Sequence, residues 1–144
     1  MQVQPYLFFG GRCEQALAFY GEALGAQVQM LMRFKDAPPN PDRPIDPATA
    51  DKVMHASVRI GESVLMCSDG ECNQASPQTH DGYSLSLNPA TLEDGQRVFN
   101  ALAGGGGSVV MPFGPTFWAL GFGMLRDQFG VHWMINVEDP ASRP

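Results

Sequence analysis

Three polar residues share one face of a predicted strand over residues 53–60: His55, Ser57 and Arg59. Side chains alternate between the two faces of a strand, so the opposite face is apolar: Met54, Ala56, Val58 and Ile60. Histidine titrates near neutral pH and can act as a general base or ligand donor, and arginine can hold a carboxylate or phosphate. We therefore expect this polar face to bind a ligand. The alternatives are a half-buried histidine bonded to a neighbour and an arginine in a surface ion pair.

A second polar set occurs near the end of the chain. In residues 131–137, His132 and Asn136 share the face opposite Val131, Trp133 and Ile135. Two aromatic residues, Phe117 and Trp118, precede another predicted strand, where they either stack on a planar ligand or belong to an aromatic core. We expect His132, Asn136 and Trp118 to line the same cleft as the first polar set. The alternative is that both polar sets form an ordinary solvated sheet face.

Other motifs give weak signals. Four residues in a polar loop could ligate a metal, but no partner pair occurs at matching spacing: Cys67, Asp69, Glu71 and Cys72. The glycines at 104–107 follow a predicted helix instead of preceding one, so they do not form a phosphate-binding loop. No local pattern identifies a catalytic nucleophile, and catalytic residues remain unassigned from the sequence.

Composition excludes several classes of function. With 144 residues the chain is long enough for one domain with a substantial core. A net charge of −6 argues against binding nucleic acid or an anionic membrane surface. No apolar run approaches the ~20 residues of a membrane-spanning helix, and no signal peptide is evident. Three cysteines without a Cys-x-x-Cys motif predict reduced thiols in a cytoplasmic protein, with Cys13 packed on a helix.

The elements that position these residues occur twice. Residues 6–9 predict a strand, the apolar spacing over 12–24 predicts a helix, and Gly25 is placed to end that helix. A strand over 26–34 and a strand pair over 53–68 follow. The first-unit residues Leu7 and Leu24 have counterparts 78 residues later in Leu85 and Leu102.

The second copy predicts a strand over 83–87 and a helix over 92–103 that begins after Thr91. Strands beginning at 109 and covering 118–126 and 131–137 follow it. We therefore predict an α+β fold of two βαβββ modules, about 1–70 and 79–140, within a single domain. Its eight strands form an incomplete, barrel-like mixed sheet with the helices outside.

Residues 36–51 interrupt the repeat. Five prolines in this stretch exclude a helix or a central strand. A loop of this length is either disordered or passive, or it serves as a flap over a site or an arm to a partner subunit.

The order and sequence of these elements resemble the vicinal oxygen chelate superfamily, and within it the PhnB-like branch. The residues that carry the resemblance are PYLFFGGRCEQALAFYGEALGA, VMHASVRIGESVLMCSD and WALGFGMLRDQFGVHWMINVE. The resemblance implies two βαβββ modules around a cavity and a homodimer. Members of this branch have been labelled demethylubiquinone methyltransferase-like, but the sequence has no glycine-rich strand–turn–helix that would hold adenosylmethionine.

Metal-dependent members of the superfamily chelate a divalent ion through His or Glu residues. The resemblance places those positions near Pro5 or Tyr6, near Gly82–Ser84 and at Met134. None of these side chains is a ligand for a hard divalent metal, so we expect no metal and no cofactor.

Two functions are consistent with the sequence. The first is a binding protein for a small, anionic or aromatic molecule, acting as a homodimer. The second is a glyoxalase-like enzyme with a relocated site centred on His55.

Overall fold

The chain divides into two compact units, Met1–Gln78 and Thr79–Pro144. The computed structural model describes residues 1–70 and 79–142. Within these residues, each unit contains one α-helix and one four-stranded mixed sheet. The predicted α+β class and the duplicated βαβββ order are confirmed. Among the described helices, none is long and apolar enough to cross a membrane.

Unit one contains β1 (Tyr6–Phe8), α1 (Cys13–Leu24), β2 (Gln27–Arg33), β3 (Val53–Ile60) and β4 (Ser63–Ser68). The strands lie in the order β1-β4-β3-β2. Strand β1 runs parallel to β4, and the other pairs are antiparallel. Strand β4 forms a hairpin with β3 and pairs on its other side with β1. The last strand of the unit therefore lies beside the first.

Unit two contains β5 (Leu85–Leu87), α2 (Leu92–Ala103), β6 (Ser108–Gly114), β7 (Ala119–Arg126) and β8 (His132–Glu138). Its strand order, β5-β8-β7-β6, repeats that of unit one. The first pair is again parallel and the others antiparallel. The similarity of the two sheets supports the sequence repeat at the level of topology, even though few side chains are shared.

Helix α1 covers one face of the first sheet. Its buried residues follow the predicted stripe: Cys13, Ala16, Leu17, Tyr20 and Ala23. They pack against β3, where Ala56 and Val58 are fully buried. Burying an apolar side chain of Val or Leu size stabilises a fold by about 1.5–3 kcal/mol, so this face cannot be shared with a polar ligand. The helix ends at Gly25, whose left-handed backbone (φ 68°) satisfies the last carbonyls.

A buried carboxylate holds the start of α1 to the sheet. The residue before the helix, Arg12, provides no side-chain cap. Instead, Asp69 Oδ1 accepts hydrogen bonds from the backbone N–H groups of Gly11 (2.9 Å) and Cys13 (2.8 Å). Its other oxygen accepts from the N–H of Val53 at 2.8 Å. One side chain at the end of β4 therefore joins the helix and β3.

Helix α2 covers one face of the second sheet in the same way. Thr91 caps the helix through a hydrogen bond from the N–H of Asp94 to its hydroxyl, 3.1 Å long. Its buried residues are Gly95, Val98, Phe99 and Leu102. Strand β8 contributes Trp133, Ile135 and Val137 to the same core. The residues between these three on β8 therefore lie on the opposite face, away from α2.

The proline-rich segment 36–51 contains no α-helix or strand, as predicted, and a short 3-10 turn reaches only Asp36. Its two ends are held together where it leaves and rejoins the sheet. The N–H of Lys35 donates to the carbonyl of Ala50 (3.0 Å), and Lys35 Nζ lies 2.7 Å from Asp51 Oδ1. Arg33 bonds to Glu14 of α1 and to the carbonyl of Asp51. The loop is therefore anchored at its base, and its function as flap, arm or passive excursion stays open.

Candidate functional site

The three polar residues predicted on β3 lie on the face of the first sheet opposite α1. His55 and Ser57 are half-buried and Arg59 is exposed, whereas the intervening Ala56 and Val58 are buried. Val53 departs from the predicted alternation, because it is two residues before His55 and yet is buried. It lies next to an irregularity in the register of the β2–β3 pairing.

His55 forms a hydrogen bond across the sheet. Its Nδ1 lies 2.9 Å from the hydroxyl of Tyr6, and the two rings are 5.5 Å apart. The ring of Phe8 lies 5.1 Å from that of Tyr6. The sequence left two alternatives for His55, and this geometry matches a half-buried histidine bonded to a neighbour. When Tyr6 donates to Nδ1, the ring proton is on Nε2, and that nitrogen can donate to a ligand.

The rest of this face combines methionines with Ser57, Arg59 and the Gln27 that pairs in register with Arg59. Ser57 lies in register between Met66 of β4 and Met30 of β2. Arg59 forms no ion pair with the residues that the structure describes. This geometry does not match the alternative in which Arg59 belongs to a surface ion pair. The role of His55, Ser57 and Arg59 in ligand binding stays a prediction.

Strand β8 presents the second predicted set on the face opposite α2. His132, Met134 and Asn136 are half-buried and alternate with the buried Trp133 and Ile135. The same face of β7 contains Phe122 and Met124, which pair in register with Asn136 and Met134. We call the surface formed by His132, Met134, Asn136, Phe122 and Trp118 the β8 face.

One end of the β8 face is concave. Five residues line a depression of about 430 Å³: Gly82, Tyr83, Ser84, His132 and Met134. Hydroxyl and imidazole groups therefore lie beside a thioether at this end, as in ligand sites that combine apolar walls with a few polar groups.

Two contacts between polar side chains border this depression. The buried His80 places its Nδ1 2.8 Å from the hydroxyl of Tyr83. Burial raises the pKa of the Tyr83 phenol, so the phenol stays protonated. On the other side, His132 Nε2 lies 3.5 Å from Asp81 Oδ1. Sequence analysis assigned no site contact to His80, Asp81 or Tyr83, because no local pattern pairs His80 with Tyr83 or Asp81 with His132.

The other end of the β8 face is aromatic. The ring of Trp118 lies 5.3 Å from that of Phe122 in an edge-on arrangement, and Trp118 is 40% exposed. The ring of Phe117, which is 91% exposed, lies 4.7 Å from that of Trp118 in an edge-on arrangement. Trp118 is thus a surface aromatic on the open face and is not part of the core under α2. Next to Phe122, the Oδ1 atom of Asn136 is buried and has no hydrogen-bond partner within residues 1–70 and 79–142.

The side chains at the family's metal positions do not fit a hard divalent ion. The hydroxyl of Tyr6 is bonded to His55, and the thioether residue Met134 lies in register between Ser86 and Met124. Thioethers are soft ligands and suit Mg, Mn or catalytic Zn poorly. Within residues 1–70 and 79–142, no three His, Cys, Asp or Glu side chains are grouped as a metal site.

The weaker candidate set near Cys67 does not provide open ligands among its described members. Both oxygens of Asp69 accept backbone hydrogen bonds, and Cys67 Sγ is buried 3.6 Å from Cys13 Sγ. Glu71 and Cys72 lie outside the described residues. Cys13 is fully buried, as expected for a packing residue.

Comparisons with known proteins agree with the fold. The sequence model of the Glyoxalase/Bleomycin resistance protein/Dioxygenase superfamily matches residues 2–135. Protein YjdN of Escherichia coli K12 is 37% identical over 145 residues, covering 95% of each chain. The crystal structure of protein PA1353 from Pseudomonas aeruginosa is 44% identical, with a TM-score of 0.80, and covers 96% of this chain and 98% of that one.

The PhnB protein from Bacillus cereus is 26% identical, with a TM-score of 0.75 over 95% of this chain and 99% of its own. This neighbour supports the predicted resemblance to the PhnB-like branch. From the family match over nearly the whole sequence, together with the duplicated βαβββ topology, the chain belongs to the glyoxalase/bleomycin resistance protein/dioxygenase superfamily.

Proposed function

We propose that the protein binds a small, planar aromatic molecule on the β8 face. The observation that carries this proposal is the order of side chains along one strand. A polar depression at His132 and Tyr83 is followed by Met134, then by Asn136 beside the rings of Phe122 and Trp118. Ligand sites are mostly apolar and aromatic, with a few polar groups that fix orientation. Methionine adds a polarizable surface that adapts to ligand shape.

A panel of planar aromatic compounds, both neutral and anionic, tests the proposal. We expect at least one class to bind with a shift in melting temperature of about 3 °C or more at tenfold excess over its Kd. Met134→Glu places a charge in the middle of the face and should abolish this shift. Val110→Glu is the matched control, because Val110 is 58% exposed on the edge strand β6. Equal binding by both variants, or no binding by the unmodified protein, would contradict the proposal.

The second candidate is an enzyme with its site at His55. The observation in its favour is the 2.9 Å hydrogen bond from Tyr6, which would hold the imidazole in one orientation against a substrate. His55→Gln separates the two candidates. If ligands found with the panel lose affinity in His55→Gln and keep it in Met134→Glu, the site is on unit one.

Two further points belong to the same proposal. We infer that the binding needs no divalent metal, because the side chains at the family's metal positions do not fit one. A large increase in melting temperature with stoichiometric Zn, Ni or Mn would contradict this inference. We also propose a cytoplasmic location, because three cysteines without a disulfide framework are typical of reducing compartments.

The name of the Bacillus cereus relative, a candidate 3-demethylubiquinone-9 3-methyltransferase, is not part of this proposal. Nucleotide-like cofactors such as adenosylmethionine are typically held where a parallel sheet meets a glycine-rich turn and a helix. Both described sheets are mixed, with one parallel pair each.

A further inference from the structure

The amide of Asn136 lies at the junction between the polar and aromatic ends of the β8 face. Its Oδ1 is buried without a partner, while the residue as a whole is half-buried. Its side chain makes no hydrogen bond with the described residues of the chain. Leaving a buried amide oxygen without a donor is destabilising, and most buried polar atoms in folded proteins are hydrogen-bonded. The amide therefore gains a hydrogen bond if it turns its Oδ1 toward a donor that these residues do not supply.

The chemistry of the amide defines that partner. A primary amide presents an acceptor and a donor side by side in one plane. A ligand that satisfies both must carry a donor next to an acceptor, also in one plane. Asparagine recognises nucleobase edges in this bidentate way. Phe122 lies directly opposite Asn136 in register, and Trp118 lies beside Phe122, so the rest of the ligand meets aromatic rings.

We propose that the β8 face selects planar heterocycles with an N–H donor adjacent to a carbonyl acceptor, and that Asn136 recognises this pair. This inference rests on the binding function proposed above. Because Oδ1 is covered, recognition requires the amide to turn about its terminal torsion, which is broad and permits such a rotation. The recognised ligand then supplies the hydrogen bond that Oδ1 lacks.

Two probes of nearly the same shape test the proposal. 2-Quinolone carries a ring N–H next to its carbonyl, and coumarin has an oxygen atom in place of that N–H. A site built to hydrogen-bond an N–H group discriminates against an analogue that lacks it. We expect 2-quinolone to bind the unmodified protein about tenfold or more tightly than coumarin, by calorimetry or ligand-observed NMR.

Asn136→Leu separates recognition from a structural role. The substitution removes an unpartnered polar atom, so the folded protein should keep or gain stability, while the preference for 2-quinolone over coumarin should disappear. Equal affinity of the two probes for the unmodified protein would overturn the proposal, and so would a preference that survives in Asn136→Leu. If neither probe binds but other planar aromatics do, this inference fails and the binding function stands. If no planar aromatic binds, the binding function itself fails.

Discussion

Buried carboxylates organise the backbone of both units. In unit one, Asp69 accepts three backbone N–H groups, those of Gly11, Cys13 and Val53. In unit two, Asp127 accepts from the N–H groups of its near neighbours Phe129 and Val131, and from the indole of Trp133 at 2.8 Å. Each side chain therefore satisfies donors that would otherwise be buried without partners, at a cost of about 1–3 kcal/mol apiece.

Removing the Asp69 carboxylate should destabilise the protein strongly. Asp69→Ala leaves three N–H groups without an acceptor, two of them in buried hydrogen bonds, and we expect the free energy of unfolding to fall by about 3 kcal/mol or more. Asp46→Ala is the control, because Asp46 accepts the N–H of Ala48 in an exposed turn. That substitution should change stability by less than about 0.5 kcal/mol. Urea unfolding of both variants measures the difference, and similar losses would contradict this role for Asp69.

The two buried thiols should be inert in the folded protein. The hydrogen bond to Cys67 and burial raise the pKa of Cys13 well above its usual range. The thiolate is the reactive form of Cys13, and the Cys67 side chain is fully buried, so neither thiol should react with a disulfide reagent at pH 8. We would measure this in Cys72→Ser, which leaves only Cys13 and Cys67. We expect no reaction in native buffer and two equivalents in denaturant; rapid labelling of the folded variant would show that these thiols are accessible.

The same pKa shift determines how stability depends on pH. The folded pKa of Cys13 lies above the unfolded value of about 9.0, so above pH 9 the folded chain retains a proton that the unfolded chain releases. Stability should therefore fall as the pH rises beyond about 9. Cys13→Ala should reduce this alkaline loss in urea titrations at pH 8 and pH 10. An unchanged slope would contradict the assignment.

At the scale of elements, glycines in β7 provide space for α2 and for the ring of Phe113. A Cβ at Gly123 would lie 2.7 Å from a ring carbon of Phe99 and 2.9 Å from the Cα of Phe113. At Gly114 of β6, a Cβ would meet nothing within 4 Å. We expect Gly123→Ala to lower the free energy of unfolding by about 1–3 kcal/mol through overpacking.

Gly114→Ala is the matched control and should be nearly neutral. Chemical denaturation of both variants measures the difference. Equal changes in the free energy of unfolding would contradict the prediction. They would mean that the side of β7 facing α2 relaxes around the added methyl group, contrary to the close packing of protein interiors.

Local sequence patterns predicted the elements well. The helices predicted over 12–24 and 92–103 are observed at Cys13–Leu24 and Leu92–Ala103. The strands Val53–Ile60 and Ser63–Ser68 match their predicted bounds. These elements depend on periodicity, capping and turn residues, which act over a few positions.

The candidate site was less predictable because its geometry depends on distant contacts. Alternation placed His132 and Asn136 on one face, but it could not pair His132 with Asp81 or Tyr83 with His80. The partner of His55 is Tyr6, 49 residues away on a strand that is not its direct neighbour in the sheet. The parallel pairing that brings β1 beside β4 is a long-range property with no local signature.

At the scale of the whole molecule, each sheet has an edge strand that exposes apolar side chains. Val28 and Met30 of β2 are 48% and 43% exposed. On the other sheet, β6 exposes Val109 and Val110, but it also contains Pro112. Proline lacks an N–H and protects edge strands from further pairing. Strand β2 contains no proline, so this long edge strand remains open to pairing with another strand.

We expect a homodimer in which β2 pairs with β2 of a second copy. A two-fold interface brings the same strand of both copies together in antiparallel register, so the Val28 and Met30 side chains of one copy lie beside those of the other. Sedimentation at micromolar concentration should give twice the 15.6 kDa chain mass. Met30→Lys should yield the monomer, because each copy then places a positive charge in the same apolar interface. Val110→Lys, on the proline-protected edge, should remain dimeric. A monomeric unmodified protein would contradict the dimer, and a dimeric Met30→Lys would exclude β2 as its interface.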